Sequence, residues 1–160
     1  MPTDYAQLAK ELNAIAQAAD LPEKLMAAIV RILHERLPHF NWVGFYMIEK
    51  GGMGAEPMLV LGPYMGAETP HKRIPLNQGI CGAAVSSGQT LVVDDVNADP
   101  RYLACSLDTK SEIVAPVFVR GAAVGELDID SHSHAAFTEE DRKLVEHCAA
   151  LAGNYLEKNS

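Results

Sequence analysis

The feature that most constrains the fold is a pair of strand-like segments, 113–119 and 122–129, separated by Arg120-Gly121. Two such segments around a short turn predict an antiparallel β-hairpin. Because side chains alternate between the two sides of a strand, Leu127 and Ile129 share one side of the second segment. The hairpin therefore belongs to a sheet whose apolar side must pack against other elements.

The opposite side of the second segment is acidic, with Glu126, Asp128 and Asp130 at every second position. Strand acids in this pattern usually form a solvated face. Two long irregular stretches, 64–78 and 94–109, could instead cover it, since loops of this length are often functional. Clustered carboxylates raise one another's pKa, so one of them could remain protonated and act as a general acid.

The remaining segments predict helices that cover the apolar side of the sheet. Their order is two helices, two strands, a short helix, a strand, the hairpin and a final helix, which predicts an α+β domain with a mostly antiparallel sheet, helices on one face and loops on the other. The predicted helices are 5–19, 22–38, 79–85 and one from 138; the predicted strands are 41–49, 58–61 and 90–93.

The chain contains three cysteines. Cys105 lies in a polar segment seven residues before Glu112, and an apolar run begins at Glu112. A thiol and an acid could therefore perform redox or acyl chemistry at the N-terminal end of a strand. The alternative is a buried small apolar side chain, the commoner role of cysteine. That alternative is stronger for Cys81, in a small-residue helix turn, and strongest for Cys148, on the apolar stripe of the last helix.

Two further groups allow more than one interpretation. Asp128, Asp130, His132 and His134 also fall at period two and could bind a divalent metal, but 131–133 is typical of a turn, so we expect no metal site. Trp42 is the only tryptophan, near Phe45 and Tyr46. It could be a core residue or the wall of a pocket for an apolar or sulfur-bearing ligand.

Length, charge and composition exclude several classes of function. The chain has 160 residues, enough for one domain, and a net charge of −8, which argues against a nucleic-acid partner. No stretch approaches the ~20 apolar residues of a membrane helix, so no membrane partner is expected. We see no signal peptide, and unpaired cysteines suit a reducing cytoplasm. No phosphate-binding glycine loop supports a nucleotide cofactor.

Eight short blocks resemble, in order and spacing, the GAF-domain free methionine-(R)-sulfoxide reductases. They are NWVGFY (41–46), LGPY (61–64), RIP (73–75), GICG (79–82), DV (95–96), AC (104–105), SEIV (111–114) and GELDIDS (125–131). The AC-x6-EIV and GxLDIDS blocks are the specific ones, because ordinary sensory GAF domains do not share that set.

The resemblance implies a single GAF domain over 1–160, with N-terminal helices (1–38), sheet and pocket loops (41–131) and a C-terminal helix (138–157). It implies thiol-dependent reduction of free methionine-(R)-sulfoxide, a role in oxidative stress, no bound cofactor, and a homodimer. The alternative is a non-catalytic GAF domain that senses a small molecule or redox state, because fold alone does not determine function.

The resemblance also implies roles for individual residues. Cys105 matches the catalytic cysteine, whose thiolate would attack the sulfoxide sulfur and become a sulfenic acid. Glu112, Asp128 and Asp130 match pocket acids that would protonate the sulfoxide oxygen and hold the substrate ammonium. Trp42 matches an aromatic residue that would pack on the thioether methyl group. Tyr46 is expected to assist it.

Two departures from the family pattern concern the regeneration of the catalytic cysteine and the charge of the pocket. His71 stands where the family usually has a further cysteine, which often forms a disulfide with the catalytic thiol. The sulfenic acid could then be resolved by Cys81, which matches a second family cysteine and is the route we favour from sequence, by thioredoxin or another external thiol, or only poorly. Glu126 stands where many members have an apolar residue, which would change the charge of the pocket.

Overall fold

The computed structural model describes residues 3–103 and 107–159. The first two helices are those that the sequence predicts. Helix α1 (Tyr5–Ala18) begins after Asp4, whose carboxylate accepts a hydrogen bond from the backbone N–H of Gln7. Helix α2 (Pro22–Arg36) begins with proline in its first turn, where the missing N–H has no intrahelical partner to lose.

The strands form one six-stranded antiparallel sheet in the order β3-β2-β1-β6-β5-β4. The other two helices are α3 (Gly79–Ser87) and α4 (Glu139–Lys158). The predicted α+β class with an antiparallel sheet is confirmed. The strands are β1 (Trp42–Glu49), β2 (Met58–Met65), β3 (Arg73–Pro75), β4 (Leu91–Val93), β5 (Ser111–Val119) and β6 (Ala122–Ser131).

Strand β2 continues past the point where the sequence predicts its end. Gly62-Pro63 suggests a stop after Leu61, but Tyr46 pairs with Leu61 and Gly44 pairs with Tyr64. Two residues of β2 therefore stand opposite one of β1, which is a β-bulge, and a bulge accommodates a proline that cannot donate to the ladder. Strand β3, of three residues, lies inside the stretch predicted to be irregular.

The sheet separates two apolar clusters. One face packs against α1, α2 and α4, and Leu127 and Ile129 point into this larger core, as the sequence predicts. The other face packs against α3, and its smaller cluster includes Trp42, Tyr46 and Cys81. Cys148 is fully buried in the larger core, which confirms its predicted position.

Helix α4 begins with a capping box in which Thr138 and Asp141 bond to each other's backbone N–H. The buried Asp141 carboxylate also accepts from the Tyr5 hydroxyl at 2.6 Å and lies 2.8 Å from Nε2 of His39. Burial alone would raise the pKa of Asp141, but these hydrogen bonds outweigh it and lower the pKa. This network ties α1 and the segment before β1 to the start of α4.

None of the helices in the described part of the chain is both long enough and apolar enough to cross a membrane.

Candidate active site

Strand register places the predicted site residues on the face that α3 covers. Residues paired directly across neighbouring strands point to the same side of a sheet. Asp130 pairs with Trp42 on β1 and with Glu112 on β5, and the next row along pairs Asp128 with Gly44 and Val114. A third row pairs Glu126 with Tyr46 and Pro116. Four carboxyl groups therefore share one patch of the central three strands.

These carboxyl groups are buried rather than solvated. Glu112 and Asp128 are each 5% exposed, Asp130 is 3% exposed and Glu126 is 0% exposed. The sequence left open whether this face is solvated or covered, and the structure shows that it is covered. Burying four acids is costly unless protons or hydrogen bonds compensate, so the patch is a candidate for chemistry.

Two aromatic side chains of β1 hold part of the covering loop. The indole N–H of Trp42 donates to the carbonyl of Ala67 at 3.0 Å, and the Tyr46 hydroxyl donates to the carbonyl of His71 at 2.6 Å. The Trp42 ring also lies over Gly44, where an added Cβ would be 2.4 Å from the ring. Gly44 thus provides the space that lets Trp42 lie flat along the sheet.

Helix α3 supplies the other part of the cover and brings Cys81 to the acids. The Cys81 thiol donates to Oδ2 of Asp128 at 3.5 Å. Burial, and then the charge of Asp128, raises the pKa of the Cys81 thiol well above its ordinary value. Cys81 is therefore a neutral hydrogen-bond donor, and reactive cysteines instead have a lowered pKa.

The acids of the patch are poised to hold protons. Burial raises the pKa of Glu112 well above its ordinary value, and the charges of Asp128 and Asp130 add to the effect. Burial also raises the pKa of Asp128, although hydrogen bonds with Glu112 and Cys81 oppose the shift. Glu112 therefore holds its proton more tightly than an ordinary glutamate, beside a carboxyl group that can share it, which is an arrangement suited to a general acid.

Glu126 forms the floor of this patch. Its side chain is fully buried, and neither carboxyl oxygen has a hydrogen-bond partner among the described residues. Burial, and then the charge of Asp128, raises the pKa of Glu126 well above its ordinary value. Burial therefore favours the neutral form of Glu126, whose polar neighbours on this face include the Cys81 thiol and Asp128.

A small cavity of about 30 Å³ opens beside the acids. It is lined by Tyr46, His71, Ile74, Gly79, Ile80, Cys81, Leu103, Glu112 and Asp128. Of the predicted substrate-binding residues, Trp42 and Asp130 lie in the adjoining row and do not line it. Sequence reasoning had not assigned Ile74, Gly79, Ile80 and Leu103 to a site, although the RIP and GICG blocks contain three of them.

Larger cavities lie elsewhere and lack this chemistry. One of them, a groove by α4 and β5 of about 440 Å³, is lined by residues such as Gln89, Phe118 and Arg142, with neither a thiol nor a buried acid among its described lining. The small cavity next to the buried acids is therefore the better candidate for a reaction site.

Cys105, the predicted nucleophile, lies outside the described residues. Leu103, two residues earlier in the sequence, lines the cavity. Thr109, four residues later, is buried, and Lys110 donates a backbone hydrogen bond to Ser131 at the end of β6. Among the described residues on either side of Cys105, Leu103 therefore lies at the cavity and Lys110 at the end of the acidic strand.

The four residues weighed as metal ligands do not form one group. Strand β6 ends at Ser131, His132 and His134 are exposed beyond it, and His134 lies 3.6 Å from Asp95. In the described part of the chain, the three residues whose donor atoms come within 4.8 Å of one another are Cys81, Glu112 and Asp128.

An antiparallel sheet with three helices on one face, and a short helix and loops covering a small cavity on the other, is typical of a GAF-type domain. A profile of the GAF domain family matches residues 21–156. The free methionine-R-sulfoxide reductase of Escherichia coli (strain K12) is 37% identical over 139 residues, which cover 87% of this chain and 80% of that protein. The chain belongs to the GAF-domain family of free methionine-R-sulfoxide reductases.

Solved structures agree with this assignment. The free methionine-R-sulfoxide reductase of Neisseria meningitidis, in complex with its substrate, is 32% identical, with a TM-score of 0.88 over 98% of this chain and 93% of that one. The reduced form of the fRMsr of Staphylococcus aureus is 32% identical, with a TM-score of 0.87 over 97% and 96%. The predicted GAF fold is confirmed.

Proposed function

We propose that this protein reduces free L-methionine-(R)-sulfoxide to methionine, with thiols as the reductant. The observation that supports this most is the buried pair Glu112 and Asp128 on the wall of the cavity, where burial raises the pKa of both carboxyl groups. A sulfoxide oxygen is a weak leaving group until it gains a proton, so a neutral buried acid supplies what this reaction needs. The relatives named for this activity support the same assignment.

In the proposed mechanism Cys105 is the nucleophile. Its thiolate attacks the sulfoxide sulfur while Glu112 gives its proton to the sulfoxide oxygen. The oxygen passes to Cys105 as a sulfenic acid, and the substrate sulfur, reduced by two electrons, leaves as the thioether of methionine. Asp128, hydrogen-bonded to Cys81, accepts from Glu112 and keeps the proton on the acid that faces the substrate.

The small size of the cavity and the charge of its acids favour a free amino acid as the substrate. Its volume of about 30 Å³ is roughly that of one water molecule, so the covering loop must yield to admit even methionine sulfoxide. We assign Asp128 and Asp130 to the substrate ammonium, because carboxylates are the acceptors that a buried cation requires. Tyr46 and Trp42 form the aromatic wall for the S-methyl group.

We assign the recycling step to an external thiol. Two thiols convert the sulfenic acid of Cys105 back to a thiol, forming one disulfide and one water. Cys81 is a poor resolving group because its buried thiol, hydrogen-bonded to Asp128, has a raised pKa. His71, on the cavity wall, offers no sulfur. A thioredoxin-like protein is the proposed physiological reductant, and a homodimer the proposed assembly.

A resolver assay tests the recycling step. Turnover is measured with dithiothreitol and with thioredoxin for the wild type and for Cys81→Ser. We expect the ratio of the two rates to be unchanged by the substitution. A selective loss of the thioredoxin-driven rate would show that Cys81 resolves the sulfenic acid.

A further inference from the structure

We propose that Cys81, Glu112 and Asp128 form a binding site for Zn²⁺, with Glu126 as the carboxylate below it. The donor atoms of the first three residues come from α3, β5 and β6 and lie within 4.8 Å of one another. This inference does not depend on the reductase activity, but its consequence for turnover does.

The geometry of the donors is close to that of a tetrahedral site. Zinc binds thiolate sulfur at about 2.3 Å and carboxylate oxygen at about 2.1 Å, so two such ligands of one ion stand about 3.6 Å apart. Sγ of Cys81 and Oδ2 of Asp128 are 3.5 Å apart. The Glu112 carboxyl, with three rotatable bonds, lies within 4.8 Å of both donors and has to move by no more than about 1 Å to complete a third corner.

A second observation points independently to a cation. Oδ1 of Asp128 and both carboxyl oxygens of Glu126 have no hydrogen-bond partner among the described residues, although both side chains are more than nine-tenths buried. Glu126 lies on the same face of β6 as Asp128, and its charge acts directly on the Cys81 thiol. Buried oxygen acceptors without donors around them are satisfied by a proton, a water or a metal ion.

The donor set and the available space favour zinc over other divalent ions. A thiolate ligand selects Zn²⁺ over Mg²⁺ and Ca²⁺, which prefer oxygen ligands alone. The adjoining cavity, about 30 Å³, has room for the ion with about one remaining water and not for a hydrated Mg²⁺. The fourth ligand is then that water or Glu126.

If the proposed function holds, zinc at this position inhibits the reductase. The ion would take the proton-bearing oxygen of Glu112 and the ammonium acceptor of Asp128, both of which the substrate needs. Inhibition should therefore be competitive with methionine sulfoxide and reversed by a chelator.

The test measures metal binding directly in the full chain, without a His tag and under reducing conditions. Zn²⁺ affinity is obtained by competition with a chromophoric chelator, and Co²⁺ is added to look for thiolate-to-cobalt charge-transfer absorption. The variants are Cys81→Ser, Asp128→Asn, Cys105→Ser and Cys148→Ala. Circular dichroism and thermal unfolding check that each variant folds.

We expect one zinc ion per chain and a cobalt–thiolate band that Cys105→Ser and Cys148→Ala retain. Cys81→Ser should abolish the band, and Asp128→Asn should weaken zinc binding by at least about tenfold. If Asp128→Asn does not fold, Glu126→Gln serves as the second ligand variant, with a smaller loss of affinity.

Three results would overturn the proposal: no zinc binding in the wild type, a band lost in Cys105→Ser, or affinity unchanged in folded Cys81→Ser. Zinc binding without inhibition of an active enzyme would contradict only the inhibitory consequence. An inactive protein that still binds zinc through Cys81 would contradict the proposed function and leave the metal site intact.

Discussion

Glu112 on β5 lies directly opposite Asp130 on β6, and both carboxyl groups are buried beneath α3 and its neighbouring loops. Carboxylates paired across strands normally repel each other. Here the raised pKa of Glu112 shows how the pair is accommodated, because burial and the charges of Asp128 and Asp130 keep the proton on Glu112.

The first prediction concerns Glu112→Gln. The amide keeps the shape of the side chain but cannot give up a proton to the sulfoxide oxygen, so kcat/KM should fall by about 10²–10⁴-fold. Steady-state kinetics with dithiothreitol check this. The matched control is Glu49→Gln, an exposed glutamate paired with Arg73 at the far end of β1. Equal activity of Glu112→Gln and wild type would remove Glu112 from the mechanism.

The second prediction concerns the cost of burying Glu126. Replacing a buried acid without hydrogen-bond partners by an apolar side chain of similar size removes a desolvation penalty, so Glu126→Leu should raise the free energy of unfolding by about 1–3 kcal/mol. Urea denaturation measures it, and Glu126→Gln, which keeps a polar group there, should gain less. A destabilised Glu126→Leu would mean that the carboxyl has a bonding partner.

The third prediction concerns acid stability through Asp141. Its pKa is lowered in the folded state, so its contribution is present above the unfolded value of about 3.9 and is lost as pH falls through the folded value. Asp141→Asn should cost about 2–3 kcal/mol at neutral pH and progressively less below about pH 4.

Denaturation at several pH values, with Glu140→Gln as control, checks the Asp141 prediction. Glu140 is an exposed carboxylate in the same first turn of α4, so its removal should change stability by only about 0.5 kcal/mol. A cost of Asp141→Asn that stays constant down to low pH would contradict the assigned linkage.

The fourth prediction concerns the loop held by Tyr46. Tyr46→Phe removes the hydroxyl that donates to the His71 carbonyl at 2.6 Å. The loop conformation that forms the cavity wall should become less stable by about 1 kcal/mol. KM for methionine sulfoxide should rise roughly fivefold, with kcat changed less. Tyr155→Phe is the control, since its hydroxyl bonds Ala19 on the opposite side of the sheet. A change confined to kcat would assign Tyr46 to the chemistry instead.

Local pattern was enough to predict much of this fold. The acid–apolar alternation of β6 predicted which residues share a face, and Leu127 and Ile129 do enter the helix-covered core. Helices α1 and α4 begin within one residue of their predicted starts, and the side chains of Asp4 and Thr138 cap them. These features depend on residues that are close to one another in the sequence, so a single sequence is enough to predict them.

The parts that sequence missed depend on distant contacts. Strand β3 has three residues and is a strand only through its pairing with residues 58–60 of β2, a contact between segments more than ten positions apart. The contact of Cys81 with Asp128 spans 47 positions and requires α3 to lie close to the sheet. Burial of the acids follows from that packing of α3 on the sheet. Gly82 lets α3 lie against the loop that precedes it, because a Cβ there would be 2.7 Å from the Leu76 carbonyl oxygen.

The central claim is tested most directly by a stereospecific turnover assay. The purified protein is incubated with dithiothreitol and with either epimer of free L-methionine sulfoxide, and methionine is quantified, with Cys105→Ser as the control. We predict methionine from the R epimer alone and none from Cys105→Ser. No methionine from the R epimer, or undiminished turnover by Cys105→Ser, would contradict the account.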